Sequence, residues 1–392
     1  MVQLGIDALL SGTSYPWGKE DRIGLLCNHA SLNKDLLHSR LLIQQLCKKQ
    51  LRCILSPQHG FNADKQDNMI ESDHMIDAQT NLPVFSLYGK SRKPTTEMLG
   101  HFDVLVIDLQ DVGTRVYTFI YTVAYCLEAA TSTGKKVVIL DRPNPIGGIE
   151  IEGNLLDPAY SSFVGLFPIP MRHGLTMGEF TLMVNQEFGI GASVEVIPMK
   201  GWKRHMYFED TRLHWIYPSP NMPTPLTAVV YPGQVIWEGT MVSEGRGTTL
   251  PFEMCGAPYW RTGEILDRLD HATMPGCLMR PIGFEPTSGK YQRELCRGFH
   301  FHVTDRESFK PYRTSLSLLQ AVIDLYGEDF SYSAPPYEYE YQKNPIDLIL
   351  GDAMVRKNLE AGTAIMDLEG EWNRDLREFD AMRQAYFLYT DY

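Results

Sequence analysis

Two carboxylates, an amide and a guanidinium follow one apolar segment at close spacing. Residues 104–109 are apolar except for Asp108, and Gln110, Asp111 and Arg115 come soon after. Carboxylates can accept or deliver a proton, and an amide or a guanidinium can hold a polar ligand by hydrogen bonds. A continuously apolar run is typical of a strand covered on both faces, whose carboxyl end opens into a ligand crevice.

A simpler interpretation is that Asp108 and Asp111 only cap a turn and the following helix. Repetition of the pattern argues against it. Three more apolar runs, at residues 22–27, 53–55 and 137–140, are each followed directly by polar residues. These polar residues are Asn28, His29, Gln58, His59, Arg142 and Asn144.

The elements that would position these residues alternate between strand and helix. Helical patterns at residues 35–49 and 117–130 separate the apolar runs as in βαβ units, which predicts a Rossmann-like parallel sheet. The carboxyl ends of parallel strands lie at one edge of a sheet, so we expect the polar clusters to converge there. A capping box at Thr176 and Glu179 predicts a further helix, and residues 193–198 predict a further strand.

The sequence pattern changes after this alternation of strands and helices. We place the Rossmann-like domain at residues 1–200 and expect a second, smaller α+β domain at residues 201–392, which completes the pocket. Proline-rich segments and an alternating strand at residues 298–303 support the second assignment. Its predicted helices lie at residues 262–269, 315–325 and 352–360, and residues 332–341 form an irregular, aromatic-rich crossing.

Composition favours a small-molecule or glycan ligand. The chain has 392 residues, 44% of them hydrophobic, with a formal net charge of −12, and the absence of a dense basic segment argues against nucleic acid or an anionic membrane as partner. No apolar run approaches the roughly 20 residues that span a bilayer, and the first residues lack a signal-peptide pattern. We therefore expect a cytoplasmic protein.

Cofactor and metal signatures are weak. Gly189-Ile190-Gly191 follows a helix instead of a strand, and no phosphate-binding loop or serine-nucleophile elbow occurs, so we expect no cofactor. His300 and His302 share one strand face and could bind a metal, although a plain surface face is the commoner reason, and we expect no metal. The seven cysteines suggest reduced core residues; Cys27 beside His29 is the candidate for a nucleophile.

Ten blocks in order resemble the DUF1343 family, whose characterised members are exo-β-N-acetylmuramidases of the NamZ type. The resemblance covers essentially the whole chain. The blocks lie at residues 28–29, 57–60, 82–89, 108–115, 141–145, 152–153, 173–174, 218–221, 238–240 and 245–248. It implies a Rossmann-like domain with a smaller partner domain, and release of N-acetylmuramic acid from the non-reducing end of peptidoglycan fragments.

One residue departs from the family pattern. Many members carry Glu where this chain has Gln58, directly before His59. An amide neither accepts nor delivers a proton at working pH, so a catalytic duty of that glutamate would be lost here. The departure leaves open a second function, that of a sugar- or muropeptide-binding protein with impaired catalysis.

Glycoside hydrolysis needs an acid for the leaving oxygen and a second carboxylate that attacks the sugar or activates water. We favour Glu71 and Glu152 as this pair, since both lie in loops expected at the same sheet edge. Their simpler interpretations are a solvated loop acid and a turn residue. Asp108, Asp111 and His59 are the other catalytic candidates, while Glu238 is a candidate for substrate binding or for a structural hydrogen bond.

The resemblance also guides the choice of substrate-binding residues. A guanidinium matches the lactyl carboxylate that distinguishes muramic acid, with Arg115, Arg142 and Arg246 as candidates, although Arg142 could instead brace Asp141. Other side chains could bind sugar hydroxyls or the acetamido group: Asn28, His29, Gln58, Gln110, Asn144, His173 and Asn221. Tyr117, Trp202 or Trp237 could provide a platform for the ring. Hydrolysis of a related amino-sugar glycoside is a further alternative.

Overall fold

The computed structural model of this protein describes residues 1–67 and 69–391. In those residues the strands are β1 (Ile23–Cys27), β2 (Leu51–Ser56), β3 (Met75–Ile76), β4 (Pro83–Ser86), β5 (Val104–Asp108), β6 (Lys136–Leu140), β7 (Glu152–Leu155), β8 (Pro170–Arg172), β9 (Ser193–Ile197), β10 (Met254–Ala257), β11 (Cys277–Phe284) and β12 (Cys296–Val303). The α-helices are α1 (Gly5–Ser11), α2 (Ser39–Cys47), α3 (Thr96–Leu99), α4 (Phe119–Ser132), α5 (Met177–Glu187), α6 (Pro225–Gln234), α7 (Thr262–Arg268), α8 (Pro311–Tyr326), α9 (Pro345–Leu350), α10 (Ala353–Glu360) and α11 (Ile365–Gln384).

The central sheet has seven strands in the order β3-β4-β2-β1-β5-β6-β9. All neighbours pair in parallel except β3, which runs antiparallel to β4 at the edge. The chain starts in the middle, builds outward to β4, and then returns to build the other half from β5. This is the doubly wound order, with its switch point between β1 and β5. The predicted Rossmann-like fold is confirmed.

The predicted helix at residues 35–49 begins later than its pattern suggests. Helix α2 starts at Ser39, with His38 as its N-cap. Residues 33–37 form a turn instead, because Asn33 Oδ1 accepts main-chain N–H groups of Asp35 and Leu37 at 3.0 and 2.8 Å. A short polar side chain that bonds its own main chain competes with helix formation in this way.

The capping box predicted before α5 is confirmed. Thr176 Oγ1 accepts the main-chain N–H of Glu179, and Glu179 accepts that of Thr176. Helix α5 therefore starts where the sequence predicted, and its buried face packs against β6 and β9.

The second half of the chain adds a smaller sheet and a set of helices. Strands β10, β12 and β11 form an antiparallel sheet in that order, which agrees with the predicted α+β character.

Strands β7 and β8, in the first half of the chain, form a separate two-stranded ribbon, and β7 packs against α11. None of the helices in the described part of the chain combines the length and the apolar character needed to cross a bilayer.

The two faces of the central sheet bury different sets of side chains. Leu25, Val106 and Val138 point to the face covered by α1 and α2. Leu26 and Ile107 point to the other face, whose apolar cluster continues into the second half of the chain. One shared core therefore joins the sheet to the second domain, and a cavity between them has walls fixed by packing.

Candidate active site

A buried ion pair locks the carboxyl ends of the central strands. Arg142 donates from Nε to Asp108 Oδ1 at 2.6 Å and from Nη2 to Asp108 Oδ2 at 2.9 Å, and Asp108 is fully buried. Ser31 Oγ donates to the Asp108 carbonyl oxygen at 2.5 Å, which ties the segment after β1 to β5. The brace expected between Arg142 and Asp141 thus forms mainly with Asp108, and these side chains have a structural task.

The side-chain amides at the strand ends also have hydrogen-bond partners within the protein. Asn28, Gln110 and Asn144 each donate to main-chain carbonyl oxygens at 2.8 to 3.0 Å. The ring of His29 lies 4.6 Å from that of Tyr217, and burial lowers the pKa of His29, so this imidazole is neutral. The polar clusters of β1, β5 and β6 thus converge as expected, but they bind one another and the main chain.

Arg115 connects the two halves of the chain from inside. Its guanidinium is fully buried and donates four hydrogen bonds, at 2.7 to 3.1 Å, to main-chain oxygens of residues 154, 169, 349 and 350. Nearby, Asp111 Oδ2 accepts a main-chain N–H two residues on at 2.7 Å and lies 3.5 Å from His173 Nε2. These groups are packed inside the protein.

The two carboxylates that the sequence favoured as the catalytic pair lie in different environments. Glu71 is exposed in the loop between β2 and β3. Glu152 is buried at the start of β7, where it accepts the main-chain N–H of Arg313 at 2.9 Å, and burial raises the pKa of Glu152 to about 7. Among the described residues, neither lines the cavity described next. Their catalytic role stays a prediction.

A small cavity, about 30 Å³ in volume, lies between the two domains, where the loop after β2 and the start of α4 face the second domain. We call it the interdomain cavity. Six residues expected from the sequence line it: Gln58, His59, Tyr117, Asn221, Glu238 and Arg246. Its wall also contains residues that the sequence did not indicate, among them Thr118, Ser219, Tyr231, Phe252, Tyr337 and Glu338.

The carboxylate of Glu338 is held by two donors from the first domain. Gln58 Nε2 donates to Glu338 Oε1 at 2.9 Å, and the Tyr88 hydroxyl donates to Oε2 at 2.6 Å. The Gln58 carbonyl oxygen accepts from Thr118 Oγ1 at 2.5 Å, which fixes the orientation of the amide. Burial raises the pKa of Glu338 more than these hydrogen bonds lower it. Glu338 is therefore a carboxyl group that retains its proton above the usual pH range.

Glu238 has the opposite electrostatic environment. Arg246 Nη2 donates to Glu238 Oε1 at 2.6 Å, and the Tyr337 hydroxyl donates to Oε2 at 2.5 Å. Burial by itself would raise the pKa of Glu238. The charge of Arg246, the hydrogen bond from Tyr337 and the charge of Lys290 outweigh it and hold the pKa below its ordinary value. The cavity thus contains one carboxyl that favours its proton and one that favours ionisation, a pattern typical of acid–base catalysis.

Three other expected residues contribute to the wall. His59 Nδ1 lies 2.7 Å from the Lys65 carbonyl oxygen, and burial lowers the pKa of His59 to about 4, so the ring is neutral at physiological pH. The Tyr117 ring lines the cavity and can provide an apolar surface. Asn221 Nδ2 donates to the Gln66 carbonyl oxygen at 3.0 Å, and this contact is exposed.

The two tryptophans that were also expected to support the sugar ring do not line the interdomain cavity. Trp202 packs edge-on against Tyr389, and Trp237 against Trp260, with ring centroids 5.2 and 5.8 Å apart. Both tryptophans are buried in the core, where their rings stabilise packing.

Uncommon backbone conformations cluster around the cavity. His59, Phe252, Glu338 and Tyr339 have φ values of 68°, 61°, 45° and 67°, in the left-handed region that non-glycine residues rarely adopt. Such conformations cost about 1–3 kcal/mol each and persist where the surroundings impose them, often at functional sites. The backbone at this cavity therefore places particular side chains at a cost in conformational energy.

Sequence reasoning missed Glu338 because its segment carries no strand-end signal. Residues 331–341 form an irregular connection in the second domain, and Glu338 reaches Gln58 across 280 positions of sequence. The only signal available was an acidic residue within an aromatic-rich segment, which by itself is more typical of a surface turn.

The histidines considered as metal ligands contact an arginine, and the cysteine considered as a nucleophile is buried. Arg280 Nε lies 3.2 Å from His302 Nε2, and Arg280 Nη2 lies 3.3 Å from His300 Nδ1, so a guanidinium already faces both rings. Within residues 1–67 and 69–391, no group of three or more His, Cys, Asp or Glu side chains is placed to hold a metal ion. Cys27 is fully buried, and burial raises the pKa of its thiol well above the usual value.

The fold and the site together define an α/β protein with a second, smaller domain, and the cavity between them contains two carboxyl groups with opposite pKa shifts, as the active sites of acid–base hydrolases do. Family profiles described as exo-β-N-acetylmuramidase NamZ match the chain, the N-terminal one at residues 23–226 and the C-terminal one at residues 229–389. The chain belongs to the NamZ exo-β-N-acetylmuramidase family, which is also known as DUF1343 and was expected from the sequence.

Individual relatives agree with this assignment. The chain is 43% identical over 388 residues to the peptidoglycan β-N-acetylmuramidase NamZ of Bacillus subtilis strain 168, covering 99% of this chain and 91% of that protein. Two crystal structures of DUF1343 family proteins from Bacteroides fragilis NCTC 9343 share the fold. BF0371 has a TM-score of 0.86 at 34% identity and 99% coverage of both chains, and BF0379 has 0.78 at 30% identity and 100% coverage of both.

Proposed function

We propose that this protein is an exo-acting glycoside hydrolase that releases β-linked N-acetylmuramic acid from the non-reducing end of peptidoglycan fragments. The observation that carries the proposal is the presence, in one interdomain cavity, of Glu338, whose pKa burial raises, and of Glu238, whose pKa Arg246 and Tyr337 hold below its ordinary value. Membership of the NamZ family, with 43% identity to the Bacillus subtilis enzyme, supports the choice of sugar.

The two carboxyl groups take different parts in the reaction. Glu338 delivers its proton to the glycosidic oxygen as the bond between that oxygen and the anomeric carbon breaks. Glu238 stays ionised and stabilises the positive charge that develops on the sugar ring. Water then supplies the oxygen that bonds to the anomeric carbon, and one of its protons returns to Glu338.

Gln58 acts in this proposal as a positioning residue. Its amide cannot exchange a proton at working pH, and both ends of the amide are already bonded, to Thr118 on one side and to Glu338 and Tyr88 on the other. The proton donor is therefore the residue that Gln58 holds, and a glutamine at this position is compatible with catalysis.

The anion of muramic acid requires a cation near the cavity. Of the three arginines expected to recognise the lactyl carboxylate, Arg246 lines the cavity, while Arg115 and Arg142 are bound to carbonyl oxygens or to Asp108. Arg246 also pairs with ionised Glu238, so we assign it both tasks. Arg246 is held by Glu238, by Glu244 and by the Gln66 carbonyl oxygen, which orients its fork.

The test compares two chromogenic substrates that differ only in the lactyl group, an aryl β-N-acetylmuramide and an aryl β-N-acetylglucosaminide. We expect turnover of the muramide and a much lower kcat/KM for the glucosaminide. Preference for the glucosaminide would identify a hydrolase of a different amino sugar. Tight binding of a MurNAc-GlcNAc disaccharide without turnover would identify a saccharide-binding protein, and Gln58→Glu would then be expected to restore hydrolysis.

A further inference from the structure

The guanidinium of Arg92 lies among three aromatic rings, two of which adjoin Glu338. Its central carbon lies 3.7 Å from the ring centroid of Tyr339, 5.0 Å from that of Tyr88 and 5.6 Å from that of Phe163. Arg92 is half-buried in the connection between β4 and α3. A cation within about 6 Å of a ring centroid is attracted by the negative face of the ring. The three rings therefore hold a positive charge at a fixed place.

These rings stand where hydrogen-bond partners of a buried guanidinium usually lie. Within the described residues, Arg92 Nε and Nη2 are buried and have no hydrogen-bond partner. The neighbouring Lys93 is different, because it pairs with Glu128. An aromatic ring attracts a cation but has no net charge, so it does not cancel the charge as a carboxylate would. The charge of Arg92 is therefore left to act on carboxyl groups nearby.

Two of the three rings belong to residues that fix the position of Glu338. The Tyr88 hydroxyl donates to Glu338 Oε2 at 2.6 Å. Tyr339 follows Glu338 directly in the chain, and both have left-handed backbone conformations. The rings of Tyr88 and Tyr339 also contact each other edge-on, with centroids 6.0 Å apart. Arg92 thus holds together two side chains on either side of the proposed proton donor.

The charge of Arg92 also reaches Glu338. Burial raises the pKa of Glu338, and the hydrogen bonds from Tyr88 and Gln58 lower it. The charge of Glu238 raises this pKa again, and the charge of Arg92 lowers it. The charged and titratable groups near Glu338 are Arg92, Glu238, Tyr88, Tyr231, Tyr337 and Tyr339.

The other guanidinium in this region is already paired. Arg246 lines the interdomain cavity and forms ion pairs with Glu238 and Glu244. Its charge is therefore largely balanced, whereas the charge of Arg92 faces neutral rings. A negative charge that appears on Glu338 during a reaction finds in Arg92 a cation held in place beforehand.

We propose that Arg92 is a positioning residue for proton transfer, which holds the rings around Glu338 and stabilises the carboxylate that remains when the proton of Glu338 passes to the glycosidic oxygen. The inference rests on the proposed function, in which Glu338 is the proton donor. The proton bonds to the glycosidic oxygen as the bond of that oxygen to the anomeric carbon breaks, and the negative charge stays on Glu338. Arg92 therefore assists the departure of a sugar, which needs the proton, more than that of a nitrophenolate, which does not.

The test removes the charge of Arg92 in two ways and retains it in a third. Arg92→Gln and Arg92→Met both remove the charge, and the second fills the space against the rings, so it serves if the first does not fold. Arg92→Lys keeps the charge. The matched control is Arg306→Met, which changes an arginine 4.6 Å from the Tyr207 ring centroid that does not line the interdomain cavity.

For each protein, circular dichroism gives the folded fraction, and kcat per folded molecule is measured with a MurNAc-GlcNAc disaccharide and with a nitrophenyl β-N-acetylmuramide. We expect both charge-removing variants to lower the ratio of the first kcat to the second by about tenfold, a part of the roughly 10²- to 10⁴-fold that a general acid contributes. The alkaline limb of their kcat/KM profiles should move to higher pH, because Glu338 then holds its proton more tightly. Arg92→Lys should change both readouts less, and Arg306→Met neither.

Equal losses on the two substrates with the alkaline limb in place would show that Arg92 serves packing alone, and would overturn the proposal. Unchanged activity in the charge-removing variants, or equal effects of Arg92→Lys and Arg92→Met, would overturn it as well. In each of these cases the proposed function stands. Absence of turnover of both substrates by the unaltered protein would instead defeat the proposed function, and the role of Arg92 with it.

Discussion

The side-chain amide of Gln58 donates a 2.9 Å hydrogen bond to the carboxylate of Glu338, and this contact joins the first domain to the second in the wall of the interdomain cavity. Because the amide can only donate to that oxygen, Glu338 remains the single titrating partner of the contact. A glutamate in place of Gln58 would share one proton with Glu338, and the two groups would then titrate as a pair.

In the proposed mechanism, the hydroxyl of Tyr88 helps to set the alkaline limit of activity. Its 2.6 Å hydrogen bond favours the ionised form of Glu338, so Tyr88→Phe should raise the pKa of Glu338 further. Since the protonated form delivers the proton, the alkaline limb of the kcat/KM profile should move to higher pH. Tyr326→Phe, which removes a hydroxyl in the second domain that accepts the Arg261 main-chain N–H, is the control and should leave the limb in place.

In the proposed mechanism, the hydroxyl of Tyr337 helps to set the acidic limit of activity through its hydrogen bond to Glu238. Its 2.5 Å hydrogen bond favours ionised Glu238, so Tyr337→Phe should raise the pKa of Glu238 towards its ordinary value. Activity requires the ionised form, and the acidic limb of the profile should therefore move to higher pH. A shift of the alkaline limb instead would mean that the roles of Glu238 and Glu338 are exchanged.

Asp108 should matter for stability. Asp108→Asn leaves Arg142 buried without its counter-charge, and breaking a buried pair costs about 3–5 kcal/mol of unfolding free energy. Urea denaturation measures this loss, while kcat per folded molecule should stay close to that of the unaltered protein. A fully stable variant with strongly reduced kcat would show that the strand-end carboxylate takes part in the reaction.

Glu152 should make stability depend on pH. Because folding raises the pKa of Glu152 to about 7, the stability contributed by its protonated form is fully present below the pKa that Glu152 has in the unfolded chain. This stability is lost as pH rises from there through the folded pKa of about 7. Glu152→Gln should therefore be more stable than the unaltered protein at about pH 8, by at most about 3 kcal/mol, and equal to it at about pH 4. Thermal unfolding at both pH values checks this.

The turnover of Glu152→Gln also decides the catalytic role expected for Glu152. We expect kcat/KM at neutral pH to change little, because Glu152 bonds to the Arg313 main chain away from the interdomain cavity. A folded variant with a large loss of kcat would support the pair that the sequence favoured.

The sequence predicted the sheet well because its signals are local. The apolar runs of β1, β5 and β6 and the capping box of α5 depend on neighbouring residues, and the structure places them within a few positions of the prediction. It could not predict which polar side chains at the strand ends bind one another. Asp108 and Arg142 look like site residues in sequence, and only their contact in three dimensions assigns them to each other.

The candidate site was harder to predict because it is assembled across domains. Gln58, His59 and Arg246 were indicated by their blocks, but the partner of Gln58 lies in an irregular segment of the second domain. No periodicity or motif marks Glu338. The role proposed for Glu338 rests on its burial, on two donors in another domain and on its left-handed backbone conformation, none of which a single sequence contains.

The most direct test is whether the loss of activity in Glu338→Gln depends on the leaving group of the substrate. A glycosidic oxygen of a sugar needs a proton to depart, whereas a nitrophenolate departs without one. We predict that Glu338→Gln loses about 10²- to 10⁴-fold in kcat with a MurNAc-GlcNAc disaccharide and far less with a nitrophenyl β-N-acetylmuramide. Glu307→Gln, at an exposed position, is the control and should lose neither activity. Equal losses by Glu338→Gln on both substrates, or no loss on either, would contradict the assignment of Glu338 as the proton donor.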